Sequence, residues 1–239
     1  MKKATRQQTK DHNTRLILKT LFDNASLSRA DIARITRLTR PTVSNIVADL
    51  IDAQLVLETG IGPSAGGKPP ILLEVNYDAH HILAVDLGSR EYRAARINLR
   101  GEIVHRIEQR GNGSQDGEEA LAQTIRMIDE ILAADDTPVL GLGLGAPGVI
   151  VPSTGVVRNA VNLGWYDVPV RTLLEARYDL PVYVVNDSHA AALAEYTFGG
   201  ERESHNLILL KVSQGIGAGI ILGGRPFYGD GYGAGEIGH

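Results

Sequence analysis

Cysteine is absent from the 239-residue sequence, which excludes both a disulfide framework and a zinc site built on thiolates of this chain. Nowhere do 18 apolar residues run uninterrupted, and the basic start, Met1-Lys2-Lys3, leads into polar residues rather than the apolar stretch of a signal peptide. These absences lead to the expectation of a cytoplasmic protein with no membrane partner. Aromatic residues are scarce, at 5% with a single Trp, so the core must come from the aliphatic part of a 43% apolar composition. A chain of this length and apolar content suits two domains better than one.

Charge of one sign is also unevenly supplied. Residues 1–70 carry 11 Lys and Arg against 6 Asp and Glu, whereas residues 71–239 carry 13 against 22. A basic head and an acidic body point to two kinds of partner, with a polyanion the natural one for the head. The expected boundary separates a basic domain over residues 1–76 from an acidic one over residues 80–239.

In the head, residues 13–24 place Leu16, Ile17, Leu21 and Phe22 on one helical stripe. Ser28-Arg29-Ala30-Asp31 reads as a capping box opening a second short helix through Ile32, Ala33 and Ile35. Arg37-Leu38 make a turn, and Thr39 caps a third helix with Pro41 in its first turn, where a missing amide costs nothing. On that helix Val43, Ile46, Val47, Leu50 and Ile51 form the buried face, leaving Arg40, Thr42, Ser44 and Asn45 outward near the N-terminal end. An Arg and short polar side chains there suit a helix that enters the major groove and meets base edges. Two strands, residues 55–59 and 71–75, flank a glycine-rich segment carrying Lys68, which is placed to touch phosphate or the minor groove. The pattern reads as a winged helix-turn-helix; its plainer alternative is a helical docking domain with solvated arginines.

The body begins with strands over residues 81–88, 93–99 and 103–107, then a helix over 117–134 with Ala120, Leu121, Ile125, Ile128 and Leu132 on one face. A strand over 139–145, a helix over 170–178, a strand over 182–185 and a helix over 188–198 complete a βββαβαβα order, after which new strands begin at 207–212. Parallel strands joined by helices put ligand loops at the strands' carboxyl ends. Asp86, Gly148 and Asn186-Asp187 fall there, although Asn186-Asp187 before Ser188 also suit a helix cap. A carboxylate at such an end serves a phosphotransferase as proton acceptor or a sugar receptor as hydrogen-bond acceptor. The segment 158–165 adds the amides Asn159 and Asn162 and the lone Trp165, whose face suits a sugar ring. Ten of the final 27 residues are glycine, which reads as a hairpin whose backbone approaches a ligand, or as a glycine-rich hairpin with none.

These residues resemble the ROK group of repressors and sugar kinases, in its repressor branch with an N-terminal winged helix-turn-helix. The resemblance spans essentially the whole chain. It rests on Gly145-Ala146-Pro147-Gly148, the segment from Asn159 to Trp165, Asn186-Asp187 with Ala190 to Glu195, the glycine-rich hairpin and Glu236-Ile237-Gly238-His239. It implies an α/β actin-like, hexokinase-like ATPase fold after the α+β head. It further implies sugar contacts at Asn186, Asp187, Glu236 and His239, with Asn159, Asn162 and Gly148 nearby, and places Asp187 where the kinase branch has its catalytic base.

Two departures choose between branches. Where the kinases read Asp-x-Gly-Gly-Thr-Lys and Gly-Thr-Gly-x-Gly, this chain has Asp86-Leu87-Gly88-Ser89-Arg90-Glu91 and Ser213-Gln214-Gly215-Ile216-Gly217. Gln214 replaces a phosphate-binding hydroxyl and Glu91 adds negative charge, so nucleotide binding is not expected. The family also continues past Glu-x-Gly-His into a cysteine cluster that, with that His, holds a structural zinc, and then into a second lobe. By that comparison the chain is a fragment with an incomplete second lobe and no metal of its own, and His239 is a zinc ligand only in a longer protein. The resulting expectation is a sugar-responsive regulator, a repressor of carbohydrate genes, that binds double-stranded operator DNA as a homodimer or higher homo-oligomer and has no catalytic role. The alternative is an ATP-dependent sugar kinase carrying a fused DNA-binding head, with Asp187 as its base.

Overall fold

The computed structural model describes residues 5–63, 69–88, 91–110, 116–200, 204–212 and 215–238. The chain divides into two compact units, Met1–Ala79 and His80–His239.

The first unit contains helices α1 (Arg6–Phe22), α2 (Arg29–Thr36) and α3 (Arg40–Asp52) and strands β1 (Leu27–Ser28), β2 (Val56–Ile61) and β3 (Ile71–Val75). Helix α1 starts at Arg6, well before the apolar stripe. Thr5 accepts from the Gln8 amide at 3.2 Å while the Gln8 side chain accepts from the Thr5 amide at 2.9 Å, so a capping box sets the start. The first turns are wholly polar, which is why apolar spacing alone places the helix too late. Phe22 leaves the stripe as well, being 48% exposed and packed edge-on against Tyr77 at 6.0 Å. The box of Ser28 and Asp31 opens α2 as expected, and the Ser28 hydrogen bond, with Arg34 beside it, holds the Asp31 carboxyl below the usual carboxylate range. Arg37 makes the turn in left-handed backbone, and Thr39 caps α3 with Pro41 in its first turn. Val43, Ile46, Val47 and Leu50 join Ile17, Leu21, Ile32, Val56 and Leu73 in one small core. Leu27 and Ser28 pair with β3, so the wing sheet runs β1-β3-β2 and has a strand too short to read from the sequence.

The second unit is built on a five-stranded sheet in the order β11-β7-β4-β5-β6. Strands β4 (His81–Leu87), β5 (Glu91–Asn98) and β6 (Ile103–Arg110) form the antiparallel meander; β7 (Val139–Ala146) and β11 (Val182–Asn186) join β4 in parallel. Helix α4 (Gly117–Ala133) buries Ala120, Gln123, Thr124, Met127, Ile128 and Ile131. This corrects the expected face: Leu121, Ile125 and Leu132 are only half-buried at its flank, and the buried stripe includes two polar residues that hydropathy spacing passes over. The Thr124 hydroxyl is satisfied by the Ala120 carbonyl at 2.8 Å, and Gln123 donates to the Arg110 carbonyl at 3.2 Å.

Between β7 and helix α5 (Val170–Tyr178) the chain makes a separate sheet, β8 (Val149–Val151), β9 (Val156–Ala160) and β10 (Trp165–Val168), with a 3-10 turn at Val161–Leu163. The expected βββαβαβα order omitted it because each strand is only three to five residues long. Helix α6 (Asp187–Phe198) follows β11 directly and packs on the last sheet, β12 (Leu207–Val212), β13 (Ile216–Leu222) and β14 (Arg225–Pro226). Part of the glycine run serves this packing rather than a ligand. A Cβ at Gly219 would lie 2.1 Å from the Ser188 carbonyl oxygen and 2.4 Å from the Ala192 Cβ, so α6 sits against bare backbone.

Candidate functional site

In the head, Arg40, Ser44 and Asn45 are exposed on α3, and no ion pair or hydrogen bond to their side chains occurs among the described residues. Thr42 differs: it is half-buried, and its hydroxyl lies 2.8 Å from that of Thr39, so it shares in the cap. Lys68 lies outside the described residues.

In the body, the carboxyl end of β11, the start of α6, the loop after β7, the end of β9 with its 3-10 turn, the β12–β13 hairpin and the segment around Glu236 converge on one cleft of about 710 Å³. That volume lies in the range of small-molecule sites, roughly 300–1,000 Å³. Gly148, Asn159, Asn162, Asn186, Asp187 and Glu236 all line it, so six of the seven residues singled out for a sugar are brought together from four separate stretches of chain. The seventh, His239, lies outside the described residues, as do Ser89, Arg90, Ser213 and Gln214 of the two altered phosphate loops.

Asn186 is the hub. Its side-chain oxygen accepts from the amides of Ser188 and His189 at 2.9 and 3.1 Å, capping α6, while its amide nitrogen donates to the Gly148 carbonyl at 3.1 Å and to Glu236 at 3.2 Å. Both donor hydrogens and both acceptor positions are thus committed within the protein. Both readings of this residue, a cap and a member of the cleft, hold together: it fixes the cleft rather than offering free bonds to a ligand. Gly148 turns the β7–β8 loop with φ +88°, and a Cβ there would fall 2.0 Å from the Asn159 carbonyl oxygen. Only glycine lets that wall close.

Asp187 follows. One oxygen accepts from the Ser188 amide at 2.7 Å, and the other meets the Lys211 ammonium at 2.6 Å. Lys211 escaped notice in the sequence because it reads as a lone charge in an otherwise apolar strand; Ser188, Val161 and Ile216 also line the cleft unannounced. Asp86 does not line it. Arg93 reaches Asp86 at 3.3 Å and Glu91 at 2.5 Å, so the charge that Glu91 brings to the first loop is matched by a cation from its own strand. Trp165 is also elsewhere: it is 1% exposed in the main core and its indole N–H donates to the Gly117 carbonyl at 2.8 Å, so it offers no face to a sugar. Among the described residues no group of three or more His, Cys, Asp or Glu is arranged to hold a metal. No helix among them is long and apolar enough to cross a membrane.

Beneath the cleft His189 is 4% exposed, edge-on to Tyr228 at 5.0 Å, with no well-formed hydrogen bond to either ring nitrogen. Burial pushes its pKa down, against the opposing pull of the Phe227 backbone, Asp187 and the Ala234 backbone. The neutral ring is the folded form, so the unfolded chain takes up the proton first as pH falls. Stability should be full above the ordinary histidine value of about 6.5 and decline as pH drops below it through the depressed folded value. Urea midpoints across pH 5 to 8 for His189→Gln should lack that decline relative to the parent; identical profiles would mean that His189 does not carry it.

The comparisons with known proteins agree on the architecture. A model of the ROK family matches residues 82–239, and one of winged helix-turn-helix DNA-binding domains matches residues 10–56. The chain is 38% identical over 233 residues to the xylose repressor of Caldicellulosiruptor bescii, covering 96% of this chain and 58% of that protein, and 29% identical to the xylose repressor of Bacillus subtilis. It is 37% identical over 161 residues to a glucokinase of Halalkalibacterium halodurans, covering 66% of this chain and 48% of that one. The crystal structure of a ROK family transcriptional regulator, a homologue of the E. coli MLC protein, superposes with a TM-score of 0.78 at 26% identity over 97% of this chain and 58% of that one. A ROK family glucokinase from Streptomyces griseus, crystallised with glucose and AMPPNP, superposes at 0.61 and 28% identity over 66% of this chain and 50% of its own. The chain spans somewhat under three-fifths of the curated repressors it matches. A winged helix-turn-helix ahead of an actin-like, hexokinase-like body, with the family model covering well over half of the chain, places this protein in the ROK family.

Proposed function

We propose that the protein is a carbohydrate-responsive transcriptional repressor without a catalytic role. In this reading α3 meets double-stranded operator DNA, and the cleft takes a small neutral sugar, a pentose such as xylose being the first to test. The observation that carries the reading is that a cleft lined by Asn159, Asn162, Asp187 and Glu236 shares a chain with a winged head whose Arg40, Ser44 and Asn45 stand exposed. Amides and carboxylates match hydroxyl groups. The xylose repressors among the relatives support it. A second reading, a sugar kinase, draws on the glucokinase likeness and on Asp187 in the cleft; ATP-dependent phosphorylation of a sugar by the full-length protein, lost in Asp187→Asn, is its signature.

For a sugar to relieve repression it must bind the DNA-free form more tightly than the DNA-bound form, because equal affinity shifts nothing. The test is a fluorescence anisotropy titration of the full-length protein on its own upstream promoter at fixed salt, with and without D-xylose and other monosaccharides. Sequence-selective binding weakened by one sugar supports the reading; sequence-indifferent binding that no sugar alters overturns it. In the same assay Arg40→Ala should weaken operator binding by about 1–3 kcal/mol. Unchanged affinity would move the contact away from the start of α3.

A further inference from the structure

We infer that Lys211 is a positioning residue of the cleft, holding Asp187 as a fixed, charge-balanced hydrogen-bond acceptor for a sugar hydroxyl. The inference rests on the reading of the cleft as a sugar site and names a residue that prepares it for its ligand.

Three charged side chains line the cleft among the described residues: Asp187, Glu236 and Lys211. Lys211 lies on β12 directly across from Gly217 of β13. Gly217 has no side chain, and a Cβ there would come within 2.8 Å of the Ser188 hydroxyl. The lysine arm reaches the start of α6, where its ammonium meets Asp187 at 2.6 Å. The carboxylate is the shielded partner, the side chains being 15% exposed for Asp187 and 36% for Lys211.

Two consequences follow for Asp187. Its orientation is held from both sides, by Lys211 on one oxygen and by the amide and hydroxyl of Ser188 on the other. A ligand hydroxyl therefore meets a carboxylate already in place and already largely stripped of water, which lowers the cost of binding. The lysine also balances the charge of Asp187, and each carboxylate oxygen keeps acceptor capacity for a hydroxyl, so the ligand meets an acceptor whose charge is already compensated.

The test is calorimetric titration of the full-length protein with D-xylose, for the parent, Lys211→Met, Lys211→Arg, Asp187→Asn and the Asp187→Asn/Lys211→Met double variant. Lys211→Met should weaken xylose binding by about tenfold or more, because it strands a shielded carboxylate, and Lys211→Arg should stay within about threefold. In the Asp187→Asn background the same lysine replacement should change affinity by less than about twofold, since there is no carboxylate left to strand. An unchanged Lys211→Met, or an equal loss with and without Asp187, overturns the assignment. A parent that binds no neutral sugar overturns the sugar reading itself, and does so in the wild-type titration before any variant is compared.

Discussion

Asn186→Ala should uncouple the sugar from the DNA while leaving a folded protein. The replacement removes the α6 cap, costing about 1 kcal/mol within a range of about 0.5–2, and withdraws the donor that ties the Gly148 carbonyl to Glu236. Those two groups come from distant parts of the sequence, the β7–β8 loop and the segment around residue 236, and Asn186 joins them, so their relative position is loosened together with the start of α6 that carries Asp187. Ligand affinity should fall by about ten- to a hundredfold, each decade corresponding to about 1.4 kcal/mol, and operator release by sugar should fail at concentrations that suffice for the parent. Asn186→Asp separates the two roles. An Asp still accepts from the Ser188 and His189 amides, so the cap survives, but it cannot donate to Gly148 or Glu236 and sets a second carboxylate beside the first. It should therefore keep the thermal midpoint of the parent much more closely than Asn186→Ala does, yet bind sugar as poorly. Sugar affinity at the parental level in both variants would show that the hub does not organise the cleft.

Asn186 also illustrates what sequence could and could not deliver. Its place after an apolar strand and before Ser188 is legible, because strands of a parallel sheet present their carboxyl ends to ligands and because Asn caps helices. The same logic finds Gly148 and Asp187, the family resemblance adds Glu236, and the helical spacing of Val43, Ile46, Val47 and Leu50 finds the buried face of α3. Lys211 was not legible. A single charge within Leu-Ile-Leu-Leu-Lys-Val reads as a solvated edge residue, and only the pairing of β12 with β13 opposite Gly217 sends it to the cleft. The β8–β10 sheet was hidden by strands too short to show an alternation, and the early start of α1 by a first turn held by caps rather than by apolar contacts. The glycine run was half understood: Gly215 lines the cleft beside open space, but Gly219 lies flat because α6 presses on it. For Lys211, the β8–β10 sheet and Gly219 the missing information is long-range pairing, which local spacing does not encode, whereas the Thr5–Gln8 box is a local signal that apolar spacing passes over.

Trp165→Ala should cost far more in stability than any change at the cleft, and this reverses the expectation that the lone tryptophan stacks on a sugar. Trp165 is the largest of the fully buried side chains and belongs to the same core as Leu83, Leu144, Leu163 and Val184. Truncating such a residue costs about 3–5 kcal/mol from lost burial and the cavity left behind. The Gly117 carbonyl at the start of α4 loses its indole donor as well, a further cost of about 1–3 kcal/mol if nothing replaces it. Against a domain stability of about 5–15 kcal/mol, the body of the variant should be at or near its unfolding threshold at room temperature, with the urea transition followed by far-UV circular dichroism. Trp165→Phe keeps most of the ring and loses the hydrogen bond, so it should fall between the two and bind sugar as the parent does once folded. The parent itself provides the converse check. Its one tryptophan sits in a dry core away from the cleft, so the emission should be blue-shifted and should shift to the red on unfolding, but should barely respond to saturating sugar. A Trp165→Phe protein with the parental urea midpoint and no sugar binding would return the ring to the ligand site.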